Sequence, residues 1–422
     1  MSTQDLRKGF RGPIHRPGDE HYDAQRAAFN PNLDARPALI AEATSAADVR
    51  AALTWARTHD VPFAVQATGH GTRVASTGGL LVKTARMSTV LVDPDRRVAK
   101  VGAGARWGDV IAAAAPFGLA PLSGTSAGVG VAGYTFGGGF SLLSRKYGFA
   151  ADSLLRADVV TAAGELVTAT RERNPDLFWA LRGGGGNFGV ATALEVRLYP
   201  VASVYAGVTR FPVERAAETL AYFENWAAGE PDELNTAIIV DQGPTFTVRT
   251  IHVGRPEDAH RALRPLWKVA GEPVEQDLRV MGYGEIALPA VAPRQFDLHN
   301  SLPTAMIDGL LGAVRDGSVT AVEVKHWGGA MARPSADAGP VGHRDVPFTL
   351  TINGSADATR PFATGGSFLN FLHDPNAVAS AYTPENFARL RAVKRDWDPD
   401  NVFHRNHNIT PARRDAELLA AH

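Results

Sequence analysis

Between positions 69 and 189 the chain carries glycine in runs that would weaken any helix or strand: Gly69 and Gly71, then seven glycines from Gly124 to Gly139, then Gly183 to Gly186 and Gly189. Glycine loses more conformational freedom on folding than any other residue, so runs of it need a compensating use. Two uses fit, a tight turn or a backbone brought close to a ligand. With side chains removed, successive N–H groups can turn toward a pyrophosphate or a flat ring. A turn explains any one of these glycines. The clusters at 66–73 and 123–139 together point to ligand contact.

Regular elements surround the runs. AADVRAALTWARTHD (46–60) carries apolar residues at helical spacing, and VPFAVQA (61–67) reads as a strand. LLVKTA, STVLVD and RRVAKVGAG are short strands with β-branched alternation. WGDVIAAAAPFG is a helix that Gly118 ends. ADVVTAAGELVTA reads as a strand, NPDLFWALRG as a helix, and the strand VATALEVRLYP closes this portion near Pro200. From about 201 the strands VYAGVTRF, LNTAIIVD, FTVRTIHVG and FTLTING accompany the helices VERAAETLAYFENWAA and PEDAHRALRPLWKVAG. That texture implies an antiparallel sheet with helices on one face. PENFARLRAVKRDWDPDNVFHRNHNITP then gives a helix, a turn and a short ordered segment. At 422 residues the chain is too long for one ordinary core, and the expected class is α+β. The expected division is 1–200, 201–375, a returning segment 376–411 and a solvated tail 412–422.

Composition removes several function classes. Net charge is −1, from 43 basic and 44 acidic residues scattered along the chain, so no basic stripe exists for nucleic acid. No apolar run approaches the roughly 18 residues that span a bilayer, and the polar amino terminus lacks a secretory pattern; a cytoplasmic location is expected. Cysteine is absent, which excludes disulfides, thiolate metal sites and cysteine nucleophiles. His404 and His407 have a metal-ligand spacing but no third ligand nearby, so no metal is expected.

Two segments match G-x-G-x-x-G, at Gly128 to Gly133 and at Gly184 to Gly189. A Rossmann site needs that loop between a strand and a helix. The second match follows a helix and precedes a strand, and the first runs into further glycine. Neither has the required context.

The order QATGHG, GVGVAGYTFGGG with RKYG, LFWALRGGGGNFGV and DPDNVFHRNHNITP resembles the berberine-bridge-enzyme-like flavoproteins, across about 35–200 and 366–411. The resemblance implies a PCMH-type FAD-binding domain of two subdomains, closed by the carboxy-terminal segment, plus an α/β substrate domain with an antiparallel sheet. It implies FAD bonded to His70, in Gln66-Ala67-Thr68-Gly69-His70 where the family usually has R-S-G-G-H. Many relatives add a cysteinyl tether, at the position of Ser126 here; a chain without cysteine can form one bond at most. The implied FAD contacts are Ala67, Thr68, Gly69, His70, Gly71, Thr72, Ser126, Gly128, Val129, Gly130, Gly133, Tyr134, Thr135, Gly137, Gly138 and Val190. Asn406 and Asn408 match an N-x-N segment beside the flavin ring.

The family holds its substrate, a small molecule, between flavin and sheet, with O2 reoxidising the reduced flavin. Gly342-His343-Arg344 resembles a mark just before a pocket strand. In that strand alternation puts Thr349, Thr351, Asn353 and Ser355 on one face, either a pocket floor or a wetted surface, and Phe348, Leu350 and Ile352 inside. Thr351 stands where some relatives carry a catalytic Glu, and Asn370-Phe371 where others have N-Y or N-H. Thr351, Asn353 and Asn370 are therefore pocket candidates; Tyr147 is a fourth, although its place in RKYG, which many relatives share, favours a packing role. Tyr283, Glu323, His326 and His373 remain as possible bases, each also explicable as structural. The expected activity is oxidation of a secondary-metabolite-type substrate. The alternatives are a carbohydrate oxidase with Trp226, Trp267 and Trp327 as platforms, and a non-redox cyclase or scaffold.

Overall fold

The computed structural model describes residues 4–413. Most of the expected tail lies outside them.

Three sheets organise the chain. The first has the order Ile14–His15, Leu39–Glu42, Leu80–Lys83, Phe63–Gln66, its last three strands parallel. Parallel pairing follows from the helix Ala46–Thr58, which crosses over between two of them. Ser45 caps that helix by accepting from the Asp48 N–H at 3.2 Å. Its Val49, Ala52, Leu53 and Ala56 are buried, and each large apolar side chain contributes about 1.5–3 kcal/mol by leaving water. The loop holding Gly69 and His70 leaves the carboxyl end of Phe63–Gln66, where ligands collect in parallel sheets.

The second sheet is antiparallel, ordered Val90–Asp93, Val98–Gly102, Val190–Arg197, Leu154–Val160, Leu166–Ala169. The stretch read as one strand, ADVVTAAGELVTA, is a hairpin turning at Gly164, whose φ of +81° suits glycine. The helix Trp107–Ala114 tightens to a 3₁₀ turn before Gly118 ends it at φ 65°.

The third sheet has seven antiparallel strands, ordered Glu275–Gly282, Ser203–Pro212, Thr245–His252, Leu234–Asp241, Val319–His326, Phe348–Gly354, Gln295–His299. The helices Ala216–Ala227, Pro256–Ala270 and Thr304–Asp316 cover one face, in a core with Ile238, Val248, Val322, Val324, Leu350 and Ile352. The expected inward set Phe348, Leu350 and Ile352 lies in this core. The other face looks toward the first two sheets. No helix among the described residues is long and apolar enough to cross a membrane.

The carboxy-terminal helix Pro384–Trp397 returns the chain to the amino-terminal half. Asn187 fixes this return: its Oδ1 accepts from the Ile409 N–H at 2.9 Å and its Nδ2 donates to the His407 carbonyl at 3.0 Å. The fold is α+β, with a large antiparallel sheet beside a mixed unit closed by both chain ends.

Candidate cofactor and substrate site

A cavity of about 860 Å³ opens where the glycine loops, the free face of the seven-stranded sheet and the returning segment meet. Its volume lies within the roughly 300–1,000 Å³ of small-molecule and cofactor sites. Of the expected cofactor contacts, Gly128, Thr135, Gly138 and Asn408 stay behind the wall and the others line it. Gly138 turns away at φ +114°, where a Cβ would strike Phe368 at 2.8 Å, and the Thr135 side chain is buried in its helix.

His70 stands on the wall with its ring stacked on Phe29, centroids 4.0 Å apart, and its Nδ1 3.1 Å from Thr68 Oγ1. Burial, and to a smaller degree the positive charge of Arg106, hold its pKa below the usual value, so the imidazole is neutral at pH 7. Phe29 lies in a polar segment, and nothing in the sequence marked it.

Asn406 reaches the loop rather than presenting its amide to open space. Its Oδ1 accepts from the backbone N–H groups of Arg73 at 2.7 Å and Val74 at 3.1 Å, and its Nδ2 donates to the Gly71 carbonyl at 2.7 Å. Asn406 lines the cavity and at the same time clasps the His70 loop. Asn370 acts likewise on the second glycine run, accepting from the Gly139 N–H at 2.9 Å and donating to the Tyr134 carbonyl at 3.2 Å.

Thr351 lines the cavity, on the same sheet face as Arg249, Glu323 and Lys325. Asn353 does not; it sits near the strand end, where its carbonyl accepts from the Thr320 hydroxyl. Tyr147 does not either: it stacks on Tyr199 at 4.0 Å within an apolar cluster. Glu323 is buried between Arg249 at 2.6 Å and Lys325 at 2.8 Å. Burial works to raise its pKa, but the two cations outweigh that and hold it below the usual carboxylate value. His326 belongs to a buried knot with Arg145 and Glu230, each 2.8 Å from its Nδ1, and Arg145 also donates to the carbonyls of Leu234 and Trp327. The motif around Tyr147 thus clamps the two halves together. Arg344 does the same through Asp152 at 2.7 Å. Tyr283 is buried against Ser123 Oγ at 2.8 Å.

His373 lines the cavity, its pKa lowered to about 4 by burial first and then by Arg73 and Arg294. His404 Nδ1 and His407 Nε2 each lie 2.9 Å from a backbone carbonyl, of Asn401 and Leu372. Among the described residues no cluster of three potential metal ligands occurs. Trp226, Trp267 and Trp327 pack in or against apolar cores, and none lines the cavity. Arg249, Lys325 and Arg73 line it without having been singled out; charged residues alternating inside the apolar strands FTVRTIHV and VTAVEVKH were the available signal for the first two.

The wall has the character a dinucleotide cofactor needs. A Cβ at Gly71, Gly133 or Gly186 would meet nothing within 4 Å, so bare backbone faces open space there. Arg73 Nε, Arg405 Nε and the Tyr134 hydroxyl are buried beside it without partners. Residues 37–170 match the family described as FAD binding domain, and residues 363–410 the one described as Berberine and berberine like. A xylooligosaccharide oxidase of Thermothelomyces thermophilus is 30% identical over 468 residues, covering 96% of this chain and 93% of that protein. The chain belongs to the berberine-bridge-enzyme-like FAD-linked oxidoreductases.

Within that family, (R)-6-hydroxynicotine oxidase of Paenarthrobacter nicotinovorans is 29% identical over 448 residues, covering 95% of this chain and 97% of that protein. The crystal structure of 6-hydroxy-D-nicotine oxidase from Arthrobacter nicotinovorans superposes with a TM-score of 0.85 at 27% identity, covering 98% of this chain and all of that one. This berberine-bridge-enzyme-like chain is accordingly an FAD-linked oxidase, with an FAD-binding domain and a substrate domain built on the large antiparallel sheet.

Proposed function

We propose that this oxidase carries its FAD on a single covalent bond to His70 and oxidises a small organic substrate in secondary-metabolite tailoring, with O2 as the final acceptor. The observation that carries the reading is the setting of His70: a neutral imidazole held by Phe29 and Thr68 in a glycine loop on the cavity wall. Neutrality leaves a nitrogen lone pair for bond formation, which an imidazolium lacks. Without cysteine, a second bond of the usual kind has no sulfur to form it.

When bound, FAD supplies a hydride acceptor that O2 can reoxidise. The chain's own residues position and enclose. Gly71, Gly133 and Gly186 offer bare backbone, Asn406 and Asn370 fix the loops, and the sheet closes the far wall. Glu323 is the one carboxylate on the wall among the described residues, and two cations hold it. An ion-paired carboxylate is a poor base. The favoured substrate carbon is therefore one already activated by an attached nitrogen or oxygen, which gives up hydride without a strong base. Oxidases of 6-hydroxynicotine and xylooligosaccharides among the relatives fit that chemistry. The division that accompanies this reading is 1–200 with 376–411 for FAD and 201–375 for substrate.

Acid precipitation followed by intact mass tests the tether. The expected result is a yellow pellet heavier by one FAD, with the adduct lost in His70→Ala. An adduct retained by that variant would exclude His70. Oxygen consumption with a panel of amines and alcohols then separates an oxidase from a non-redox scaffold.

A further inference from the structure

The sheet wall of the cavity holds more positive charge than it can answer. Strand register puts Arg249, Ala237, Lys325 and Thr349 in one row across the sheet, and Glu323 beside Thr351 in the next row on the same face. Arg249 and Lys325 are buried, 1% and 6% exposed, and share one buried carboxylate, Glu323. Removing a charge from water costs several kcal/mol unless a partner compensates. Two basic groups thus face one anion; burial pulls the Lys325 pKa down while Glu323 works against it, so an entering anion would both favour the ammonium form and answer its charge. Arg249 Nε is buried with no partner, although its Nη1 donates to the Pro289 carbonyl at 2.8 Å. All three charged groups line the cavity, so the missing anion can arrive through it.

The surroundings say what else the ligand carries. Lys325 Nζ stands 5.0 Å from the centre of the Phe140 ring, and Phe140 and Phe371 line the same cavity. Phe371 is held by stacking on Phe296 at 4.9 Å. The two rings offer apolar surface to a ligand whose acidic group meets the cations.

We propose that the substrate is a small organic acid whose carboxylate docks on Arg249 and Lys325, with its apolar part against Phe140 and Phe371. The assignment rests on the oxidase reading and narrows its substrate class. It makes Arg249 and Lys325 the residues that set specificity, by rejecting a neutral isostere that would leave the surplus charge buried and unpaired.

Calorimetric titration of the purified holoprotein with benzoate and with benzamide, its neutral isostere, tests this. Saturable benzoate binding is expected, with benzamide at least about tenfold weaker. Lys325→Met leaves a balanced Arg249–Glu323 pair, so it is expected to fold with an undiminished melting temperature and bind benzoate about 10- to 100-fold more weakly. Equal binding of the two probes, binding of neither, or unchanged benzoate affinity in Lys325→Met would overturn the proposal. Flavin content, read separately by absorbance, reports on the oxidase reading; a flavin-free protein that still prefers benzoate would sink that reading and leave the acid site standing.

Discussion

Asn406 holds φ at +68°, a left-handed conformation that costs most side chains roughly 1–2 kcal/mol. Asparagine tolerates it better than most, and here the conformation aims its amide at the backbone of residues 71–74. Two effects coincide at one residue and can be separated. Asn406→Gly keeps the backbone at ease and removes the three hydrogen bonds, so a loss of about 1–3 kcal/mol is expected. Asn406→Ala should lose that and add strain, giving the lower melting temperature of the two. Flavin content should drop in both, because the clasped loop carries His70. An alanine variant as stable as the glycine one would show that strain plays no part.

At the scale of elements, the seam between helix Pro384–Trp397 and the glycine turn depends on a buried lysine. Lys394 Nζ donates to Asp398 at 2.6 Å, to the Asn187 carbonyl at 2.8 Å and to the Phe403 carbonyl at 2.9 Å, which satisfies all three of its N–H groups. Lys394→Met would leave the buried Asp398 carboxylate without its cation, held only by the N–H groups of Val402 and Phe403, and a loss of about 3–5 kcal/mol in a denaturant titration is expected. A loss below 1 kcal/mol would mean that the seam is held by apolar packing alone. The sequence announced this seam only as a DPDN turn after a helix. It announced the glycine loops and the amphipathic helix Ala46–Thr58 far better, because those signals are local: a residue type, a period, a cap. The hairpin at Gly164 was missed because its turn, Ala162 to Gly164, is a short break inside an apolar stretch. The strand Glu275–Gly282 is an edge strand with mostly exposed side chains, so alternation left little trace. Glu323 could be named as a possible base but not placed in a triad, since Arg249 lies on a strand two positions away in the sheet. Asn353 looked like a pocket residue by alternation along its strand, and Tyr147 was a candidate beside a packing role; the strand's end and the stack on Tyr199 put them off the cavity wall.

Across the whole molecule, five histidines among the described residues share one electrostatic bias. His70, His252, His299, His373 and His407 all have their pKa pushed down, burial being the largest cause at each, and His373 lies lowest at about 4. In the unfolded chain each titrates near 6.5. Between that value and its lower folded one, the unfolded state binds more protons, so acid favours unfolding. The stabilising contribution is complete above about pH 6.5 and is lost as pH falls through the folded values. Three of these residues, His70, His373 and His407, line the cavity where the two chain ends meet, so protonation adds positive charge beside Arg73 and Arg294. The melting temperature should accordingly hold steady from pH 8 to 7 and fall progressively from 6.5 toward 4. His373→Gln should flatten that fall only partly, because the other four histidines keep their lowered values. If FAD is bonded to His70, the acid-treated protein should lose its fold and keep its flavin. A melting temperature indifferent to pH between 7 and 4 would mean that these imidazoles titrate alike in both states, and the neutral His70 on which the tether depends would lose its support.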